Sequence, residues 1–113
     1  IDASIAYQGY GKKVDLKKIN MLIDSFTDNI VPDITMFFDL PYNLAKKRFP
    51  KNKKKDRFEN LKDSFFEDVY SGYKYQLKNN KNRIKKIDAN CDKNEVCSQI
   101  ISALTKKFKN LSL

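Results

Sequence analysis

Apolar residues recur at three- and four-residue spacing in three stretches of the chain, which is the periodicity of an amphipathic helix. The first stretch, 16–26, follows Asp15, a residue type that often caps helices. The second covers 61–77, and the third begins near Asp92, where Glu95 completes a capping-box pattern. We therefore predict three amphipathic helices. The positions predicted to face the core on the second helix are Phe66, Val69, Tyr70, Tyr73 and Leu77.

Two short stretches between these helices have the composition of strands. Residues 34–40 are almost continuously apolar, and Pro41 closes them. A run of this kind is typical of a strand buried on both faces, as in a parallel sheet. Residues 83–88 predict a second strand. Helices that alternate with strands indicate an α/β fold, a parallel sheet with flanking helices. Because two such strands make no stable sheet alone, we expect neighbouring strands that this sequence does not supply.

The connecting segments are predicted from turn residues and charge. Gly9 and Gly11 belong to the sequence Gln-Gly-Tyr-Gly, which predicts a loop before the first amphipathic helix. A short helix is predicted from Tyr42 to about Arg48. Residues 46–57 are densely basic and have no apolar period, so we expect a loop there.

The composition excludes several kinds of chemistry. The chain has 113 residues, the size of one small domain, and no stretch apolar enough to span a membrane. It has no histidine, which excludes Ser/His/Asp and Cys/His catalysis and nearly every zinc site. Cys91 and Cys97 are too few for a disulfide framework. We expect two free thiols in a reducing, cytoplasmic compartment, with Cys97 partly packed on the last helix.

The charge suggests an alternative function. Lysine and arginine outnumber aspartate and glutamate, and the formal net charge is +9. A basic chain with interleaved aromatic residues could be a nucleic-acid-binding module without catalytic activity, whose phosphate contacts weaken as salt rises. Against this hypothesis, the basic residues are concentrated in one loop, and no common docking motif is present. It stays as the alternative, and we expect no nucleic acid partner.

Separated segments carry the most specific information in the sequence. Ser-Ile-Ala-Tyr-Gln-Gly stands at 4–9, the apolar run 36–41 ends in Leu-Pro, Asp-Arg-Phe-Glu follows at 56–59, and Ile-Asp-Ala stands at 87–89. In this order and spacing they resemble the C-terminal half of bacterial thymidylate kinase, a P-loop nucleoside-monophosphate kinase. The resemblance covers almost the whole chain, and its most specific part is the pair Ala-Tyr-Gln-Gly and Asp-Arg-Phe-Glu.

The resemblance implies a fold and a reaction. The fold is a partial P-loop nucleoside-monophosphate kinase fold, with the N-terminal half and its phosphate-binding loop absent. Residues 1–113 would form the C-terminal portion of a single thymidylate kinase-like domain, with 46–60 as its lid segment. The reaction transfers the γ-phosphoryl group of ATP to dTMP, giving dTDP and ADP, with Mg²⁺. Catalysis of this kind depends on positioning and on neutralisation of the charge on the moving phosphoryl group.

The resemblance also implies a dTMP site. Ser4 and Gln8 would hydrogen-bond the edge of thymine, because a hydroxyl and an amide both donate and accept. Tyr7 would pack beside the deoxyribose and disfavour a 2′-hydroxyl. The alternative for Tyr7 and Gln8 is a turn or helix-start role without a ligand.

The implied catalytic residues are arginines that cover the phosphates. Arg57, together with Arg48, would do so because a guanidinium combines permanent charge with a fixed fork of donors. The alternatives are an exposed ion pair of Arg57 with Asp56 and Glu59, and a solvated helix end for Arg48. The lid departs from the family pattern, because lysines replace most of its arginines.

The remaining implied sites are for ATP and Mg²⁺. Ala89 and Asn90 would wall the adenine, mostly through backbone. No metal ligand is assigned in the chain, and for Asp39 a metal role and a structural role both stay open. The sequence contains no Gly-x-x-x-x-Gly-Lys-[Ser/Thr] loop, so the ligands for Mg²⁺ are expected in the absent half. We therefore expect the chain alone to be inactive, and we expect dTMP, ATP and a second copy in a homodimer as partners.

Overall fold

A computed structural model describes residues 1–48 and 61–110 of the chain. Its elements, in chain order, are α1 (Asp2–Ser4), a π-helix (Ile5–Gly11), α2 (Leu16–Thr27), β1 (Thr35–Asp39), α3 (Tyr42–Lys46), α4 (Asp63–Asn79), β2 (Ile84–Asp88) and α5 (Lys93–Lys107). They belong to two compact units. The helical unit comprises Ile1–Val31 and Pro41–Gln76, and the α/β unit comprises Pro32–Leu40 and Leu77–Leu113.

The α/β unit contains a two-stranded parallel sheet. β1 pairs with β2 in a register that runs from Thr35 opposite Ile84 to Asp39 opposite Asp88. Helix α5 packs against β2, and Ile84 and Ile87 on that strand are buried. This confirms the predicted α/β fold with a parallel sheet and flanking helices.

Strand β1 is less buried than its apolar sequence predicts. The side chain of Phe38 is 54% exposed, and the other residues of β1 are half-buried. The prediction of a strand buried on both faces is therefore wrong for the described residues. The physical reason is that an apolar run identifies a strand, whereas burial of both faces requires a layer on each, and within the described part of the α/β unit Phe38 is not covered.

Helix α2 of the helical unit begins where its capping residue predicts. The Asp15 carboxylate accepts a hydrogen bond from the backbone N–H of Lys17 at 2.9 Å, and Asp28, the C-cap residue that follows Thr27, has the left-handed conformation. Ile19 is buried, but Leu22 and Phe26 on the predicted apolar stripe are 58% and 84% exposed. The periodicity thus identified the helix correctly and overestimated how much of its apolar face is covered.

The predicted loop at Gln-Gly-Tyr-Gly is wrong, because these residues belong to the π-helix. The Lys12 N–H donates to the carbonyl oxygen of Tyr7 at 2.8 Å, a bond that spans five residues. No glycine of the chain has a positive φ, so turn geometry does not explain Gly9 and Gly11. A Cβ added at Gly11 would lie 2.5 Å from Cε2 of Phe65. Glycine is therefore required there for close helix packing.

Of the stripe predicted on helix α4, only Val69 is buried. The fully buried residues of the helix are Val69, Gly72 and Gln76, whereas Phe66, Tyr70, Tyr73 and Leu77 are half-buried. The Gln76 Nε2 group donates to the carbonyl oxygens of Asp2 and Gly72 at 2.9 Å and 3.4 Å. A polar residue is tolerated on the buried stripe because its amide bonds to the backbone.

Local signals on α5 and the cysteines have mixed outcomes. The capping box of Asp92 and Glu95 is confirmed, with both reciprocal bonds formed. Both cysteines are free thiols, as expected. Cys97 is exposed, so the prediction that it packs partly on the last helix is wrong; it shares a helix face with the half-buried Ile100 and Leu104, but that face is open to solvent at its position. Among the described helices, none is both long and apolar enough to cross a membrane.

Candidate functional site

The helical unit has a surface depression that brings Ser4, Tyr7 and Gln8 together. These residues and Ala3 line a space of about 420 Å³. Ser4 and Gln8 are exposed and stand four residues apart, so helical backbone puts them on the same side. Tyr7 is half-buried beside them. The three residues that the resemblance assigns to one ligand therefore share one surface feature.

The ring of Tyr7 is held by two aromatic residues of α4. Its centroid lies 6.1 Å from that of Phe65 and 6.4 Å from that of Tyr73, and the second pair is edge-on. Such tilted arrangements are the favoured geometry of aromatic pairs. Burial, the neighbouring Tyr7 and the Asp2 carboxylate raise the pKa of Tyr73 above its ordinary value, so its hydroxyl stays neutral near pH 7.

Sequence reasoning missed Phe65 as a site residue and assigned Tyr73 only to the core. A signal was present, because Phe65, Val69 and Tyr73 recur at four-residue spacing and form one row along α4. That spacing does not tell which distant segment the row contacts. Only the structure shows that the row packs against the π-helix.

A second depression borders the first. Ser4 and Gln8 line it as well, together with Ile1 and one face of α2. The lining residues of α2 are Ile19, Leu22, Ile23, Phe26 and Thr27. A hydroxyl and an amide flanked by an aromatic ring and an apolar surface suit a flat ligand with a polar edge. The arrangement offers binding and orientation, and it contains no nucleophile with an adjacent base.

The backbone beneath the depression is anchored at both ends. The Gln76 amide holds the carbonyl oxygen of Asp2, and the Val14 N–H donates to the carbonyl oxygen of Gln8 at 2.9 Å. Long π-helices are rare and often mark functional sites. The side chains of Ser4, Tyr7 and Gln8 are therefore carried by a defined backbone.

Of the two implied catalytic arginines, Arg48 is among the described residues and Arg57 is not. Arg57 lies outside the described residues, as does most of the predicted lid at 46–60. Arg48 is exposed just after α3, and its backbone N–H donates to the carbonyl oxygen of Ala45 at 3.0 Å. The assignment of both residues to the phosphates stays a prediction.

A polar cluster links α3 to the start of α4. Asp63 accepts hydrogen bonds from the Tyr42 hydroxyl at 3.0 Å and from the Lys46 ammonium at 2.7 Å. The Tyr42 ring stacks on Phe66, with centroids 5.0 Å apart. Burial and the bond to Asp63 raise the pKa of Tyr42, and the same carboxylate raises the pKa of Lys46.

In the α/β unit, Ala89 and Asn90 lie in the short connection from β2 to α5. The Ala89 N–H donates to the carbonyl oxygen of Asp39 at 3.0 Å, and the Asn90 N–H donates to Oδ1 of Asp88 at 2.9 Å. The Asn90 side chain is exposed. The connection is thus a backbone-bonded loop, which is the kind of feature that the resemblance assigns to adenine.

The described residues do not fit a magnesium site. No group of three or more Cys, Asp or Glu side chains converges anywhere in 1–48 or 61–110. The Oδ2 atom of Asp39 lies 3.2 Å from the Nζ atom of Lys86, and the Asp39 side chain is only 15% exposed. This ion pair supports a structural role for Asp39, and the metal role of Asp39 gains no support from it.

The parallel sheet and the helix packed on it are consistent with part of a nucleoside-monophosphate kinase fold. A sequence model of the family described as thymidylate kinase matches residues 1–100. The chain belongs to the thymidylate kinase family.

Curated relatives agree with this assignment. The chain is 41% identical over 108 residues to a thymidylate kinase of Exiguobacterium sp., covering 92% of this chain and 51% of the relative. It is 35% identical over 111 residues to that of Mycoplasma capricolum, covering 96% and 52%, and 36% identical over 112 residues to that of Psychrobacter sp., covering 96% and 53%. The chain spans about half the length of the curated relatives it matches.

Proposed function

We propose that the protein containing this chain transfers the γ-phosphoryl group of ATP to dTMP, giving dTDP and ADP. The observation that carries the proposal is the family match over residues 1–100. In the transfer, a phosphate oxygen of dTMP forms a bond to the γ-phosphorus of ATP while the bond to the β,γ-bridging oxygen breaks and ADP leaves. The nucleophile is a phosphate oxygen that is already ionised near pH 7, so the protein contributes position and charge.

The dTMP part of the proposal is supported by the depression on the helical unit. Ser4 and Gln8 offer a hydroxyl and an amide for the polar edge of thymine, and both are exposed to an incoming ligand. Tyr7, held against Phe65 and Tyr73, offers a fixed ring beside the sugar. A fixed ring discriminates by shape, which is how a 2′-hydroxyl would be disfavoured.

The ATP part of the proposal rests on other residues. Arg57 and Arg48 are proposed to neutralise phosphoryl charge, and Ala89 and Asn90 to border adenine. Mg²⁺ would neutralise phosphate charge, and no residue of this chain is assigned to hold it. Because these 113 residues contain no Gly-x-x-x-x-Gly-Lys-[Ser/Thr] sequence, we expect them to be inactive in isolation. We propose that they form the C-terminal portion of one thymidylate kinase-like domain, with 46–60 as lid.

The substrate assignment is tested by ligand-dependent thermal stabilisation of the full-length protein. We expect dTMP to raise the melting temperature more than dUMP or UMP does, and Gln8→Ala to remove the effect. The matched control is Asn20→Ala, which truncates an exposed amide on α2 away from Ser4 and Tyr7. Equal stabilisation of Gln8→Ala and wild type by dTMP would exclude Gln8 from the site.

The partners and location of the whole protein are also proposals. A homodimer is proposed from the family resemblance, and sedimentation of the full-length protein tests it. A cytoplasmic location stays a prediction. The nucleic-acid-binding alternative receives no support from the three relatives reported above, which are thymidylate kinases. Salt-sensitive oligonucleotide binding that is indifferent to Gln8, in a protein that ignores dTMP, would restore it.

A further inference from the structure

The side chain of Gln99 on α5 hydrogen-bonds to both the N–H and the carbonyl oxygen of Asp88. The Asp88 N–H donates to Gln99 Oε1 at 2.7 Å, and Gln99 Nε2 donates to the carbonyl oxygen of Asp88 at 3.1 Å. A carboxamide presents one acceptor and one donor side by side, so it reproduces the pairing that a neighbouring strand would offer. Gln99 therefore gives Asp88, the last residue of β2, the hydrogen bonds that a neighbouring strand would supply.

The same amide organises the loop that follows. Gln99 Nε2 lies 3.4 Å from Cys91 Sγ, and the Cys91 thiol donates to the carbonyl oxygen of Asp88 at 3.0 Å. Asp88 in turn accepts from the Asn90 N–H through its carboxylate. Gln99, in the second turn of α5, thus contacts the loop at its start through Asp88 and at its far end through the thiol of Cys91.

Backbone recognition makes such an anchor important. A loop that contacts a base mainly through its backbone has no side chain of its own to adjust, so its affinity depends on how well its backbone geometry is fixed beforehand. The start of the Ala89–Asn90 segment is held by the Ala89 N–H bond to Asp39 and by the Gln99 bonds to Asp88, and its far end by the contact of Gln99 with Cys91. The bond to Asp39 joins backbone groups, whereas the Gln99 contacts depend on a side chain that can be replaced.

We propose that Gln99 is a positioning residue that sets the affinity for ATP by fixing the Asp88–Cys91 backbone through its paired hydrogen bonds to Asp88. The inference rests on the proposed function, because it takes the adenine of ATP as the ligand of this loop. It assigns no contact between Gln99 and the nucleotide. We expect the Gln99 side chain to affect only ATP binding, because the adenine lies far from the γ-phosphoryl group that is transferred.

The test uses the full-length protein with Gln99→Met. Methionine has a similar length and a good helix propensity but has neither the amide donor nor the amide acceptor. We expect the KM for ATP to rise about tenfold, a change of about 1.4 kcal/mol in binding free energy. We expect kcat and the KM for dTMP to stay within about twofold of wild type, a difference of at most about 0.4 kcal/mol. The matched control is Ser98→Ala, on the exposed neighbouring position of α5.

A second measurement does not depend on activity. Amide hydrogen exchange of a peptide spanning 87–92 should be faster in Gln99→Met than in wild type or Ser98→Ala, because the Asp88 N–H has lost its acceptor. Should Gln99→Met fold poorly, Cys91→Ala removes one donor to the Asp88 carbonyl and should raise the KM for ATP in the same direction by a smaller factor.

The outcomes separate the inference from the function beneath it. An unchanged KM for ATP or unchanged exchange in Gln99→Met overturns the positioning role while the kinase assignment stands. Equal losses for ATP and dTMP show a general structural defect and also overturn it. A wild-type protein without dTMP-dependent ADP formation overturns the proposed function and the ATP part of the inference together, and exchange at 87–92 then shows whether Gln99 holds the loop at all.

Discussion

The π-helix of the helical unit and the β2–α5 loop of the α/β unit are fixed by different forces. The π-helix is held mainly by packing, because Gly11 lies against Phe65 and the Tyr10 ring lies against Gly72. The loop is held by hydrogen bonds, most of which converge on Asp88. Both segments carry residues proposed to contact a nucleotide.

The difference teaches which changes each region tolerates. Close packing fails when atoms are added, since a packed interface has no room to relax. A hydrogen-bonded loop fails when a donor or acceptor is removed, since its partner is then left unsatisfied. Tyrosine titration and cysteine modification each probe only one of the two units. All six tyrosines belong to the helical unit, and both cysteines belong to the α/β unit.

The largest effect is expected from Gly72→Ala on α4. A Cβ at this position would lie 2.8 Å from Cγ and Cδ2 and 2.9 Å from Cβ of Tyr10, atoms too close to the backbone to move freely. Overpacking costs about 1–3 kcal/mol, and alanine regains up to about 1 kcal/mol of helix propensity. We expect the free energy of unfolding to fall by about 1–2 kcal/mol in urea denaturation.

The control for this prediction is Gly9→Ala. Its added Cβ would meet Cδ2 of Leu16 at 2.5 Å, but that atom is the flexible end of an exposed side chain. Leu16 can therefore turn aside, and the loss should be smaller than for Gly72→Ala. If the two substitutions have equal effects, the contact with the Tyr10 ring is not what makes glycine necessary at 72.

The next effect concerns the hydrogen-bonded loop and comes from Asp92→Ala. The Asp92 carboxylate accepts from the N–H groups of Asn94 and Glu95 at 2.8 Å and 3.0 Å. Loss of an N-cap costs about 1 kcal/mol, so we expect a decrease of that size in the free energy of unfolding. Asp92→Asn keeps the acceptor and should lose a few tenths of that. A loss as large for Asp92→Asn as for Asp92→Ala would contradict the capping role.

Local signals explain why much of the fold was predictable from sequence. Asp15 and the pair Asp92 and Glu95 act on backbone groups within three residues, so their effect is visible in the order of the chain. The two strands are also visible in the sequence, because their apolar residues and the turn residues that bound them are neighbours along the chain. The glycines were misinterpreted because a glycine in a turn and a glycine beneath a ring leave the same sequence signal.

The candidate site was predictable only where a resemblance named it. Ser4, Tyr7 and Gln8 were chosen because their segment is similar to a known family, and the structure groups them. Phe65 is distant from Tyr7 in sequence, and no local pattern pairs them. Gln99 was not singled out at all, because a glutamine on a helix gains a role only when the strand end beside it is known.

A smaller effect should distinguish the two cysteines. Burial, together with the carboxylates of Asp88 and Glu95, raises the pKa of the Cys91 thiol, whereas Cys97 is exposed. Because the thiolate is the nucleophile, we expect iodoacetamide at pH 8 to modify Cys91 roughly threefold more slowly. Trypsin cleaves after Lys93, between the two, so mass spectrometry measures each rate separately. Faster modification of Cys91 would show that its loop is open rather than hydrogen-bonded.

The smallest effect is a pH dependence confined to the helical unit, tested with Tyr42→Phe. The folded pKa of Tyr42 is raised by burial and by its bond to Asp63, so its stabilising contribution is complete below the unfolded value of about 10 and is lost as pH rises through the folded value. The contribution of Lys46 to stability changes with pH in the same direction, because its folded pKa is also raised.

We expect Tyr42→Phe to be slightly less stable than wild type at pH 8 and the difference to vanish at strongly alkaline pH. Tyr75→Phe, on the exposed side of α4, is the control. A difference that grows with pH would contradict this role, because an ionised Tyr42 and the Asp63 carboxylate are both acceptors and cannot hydrogen-bond to each other.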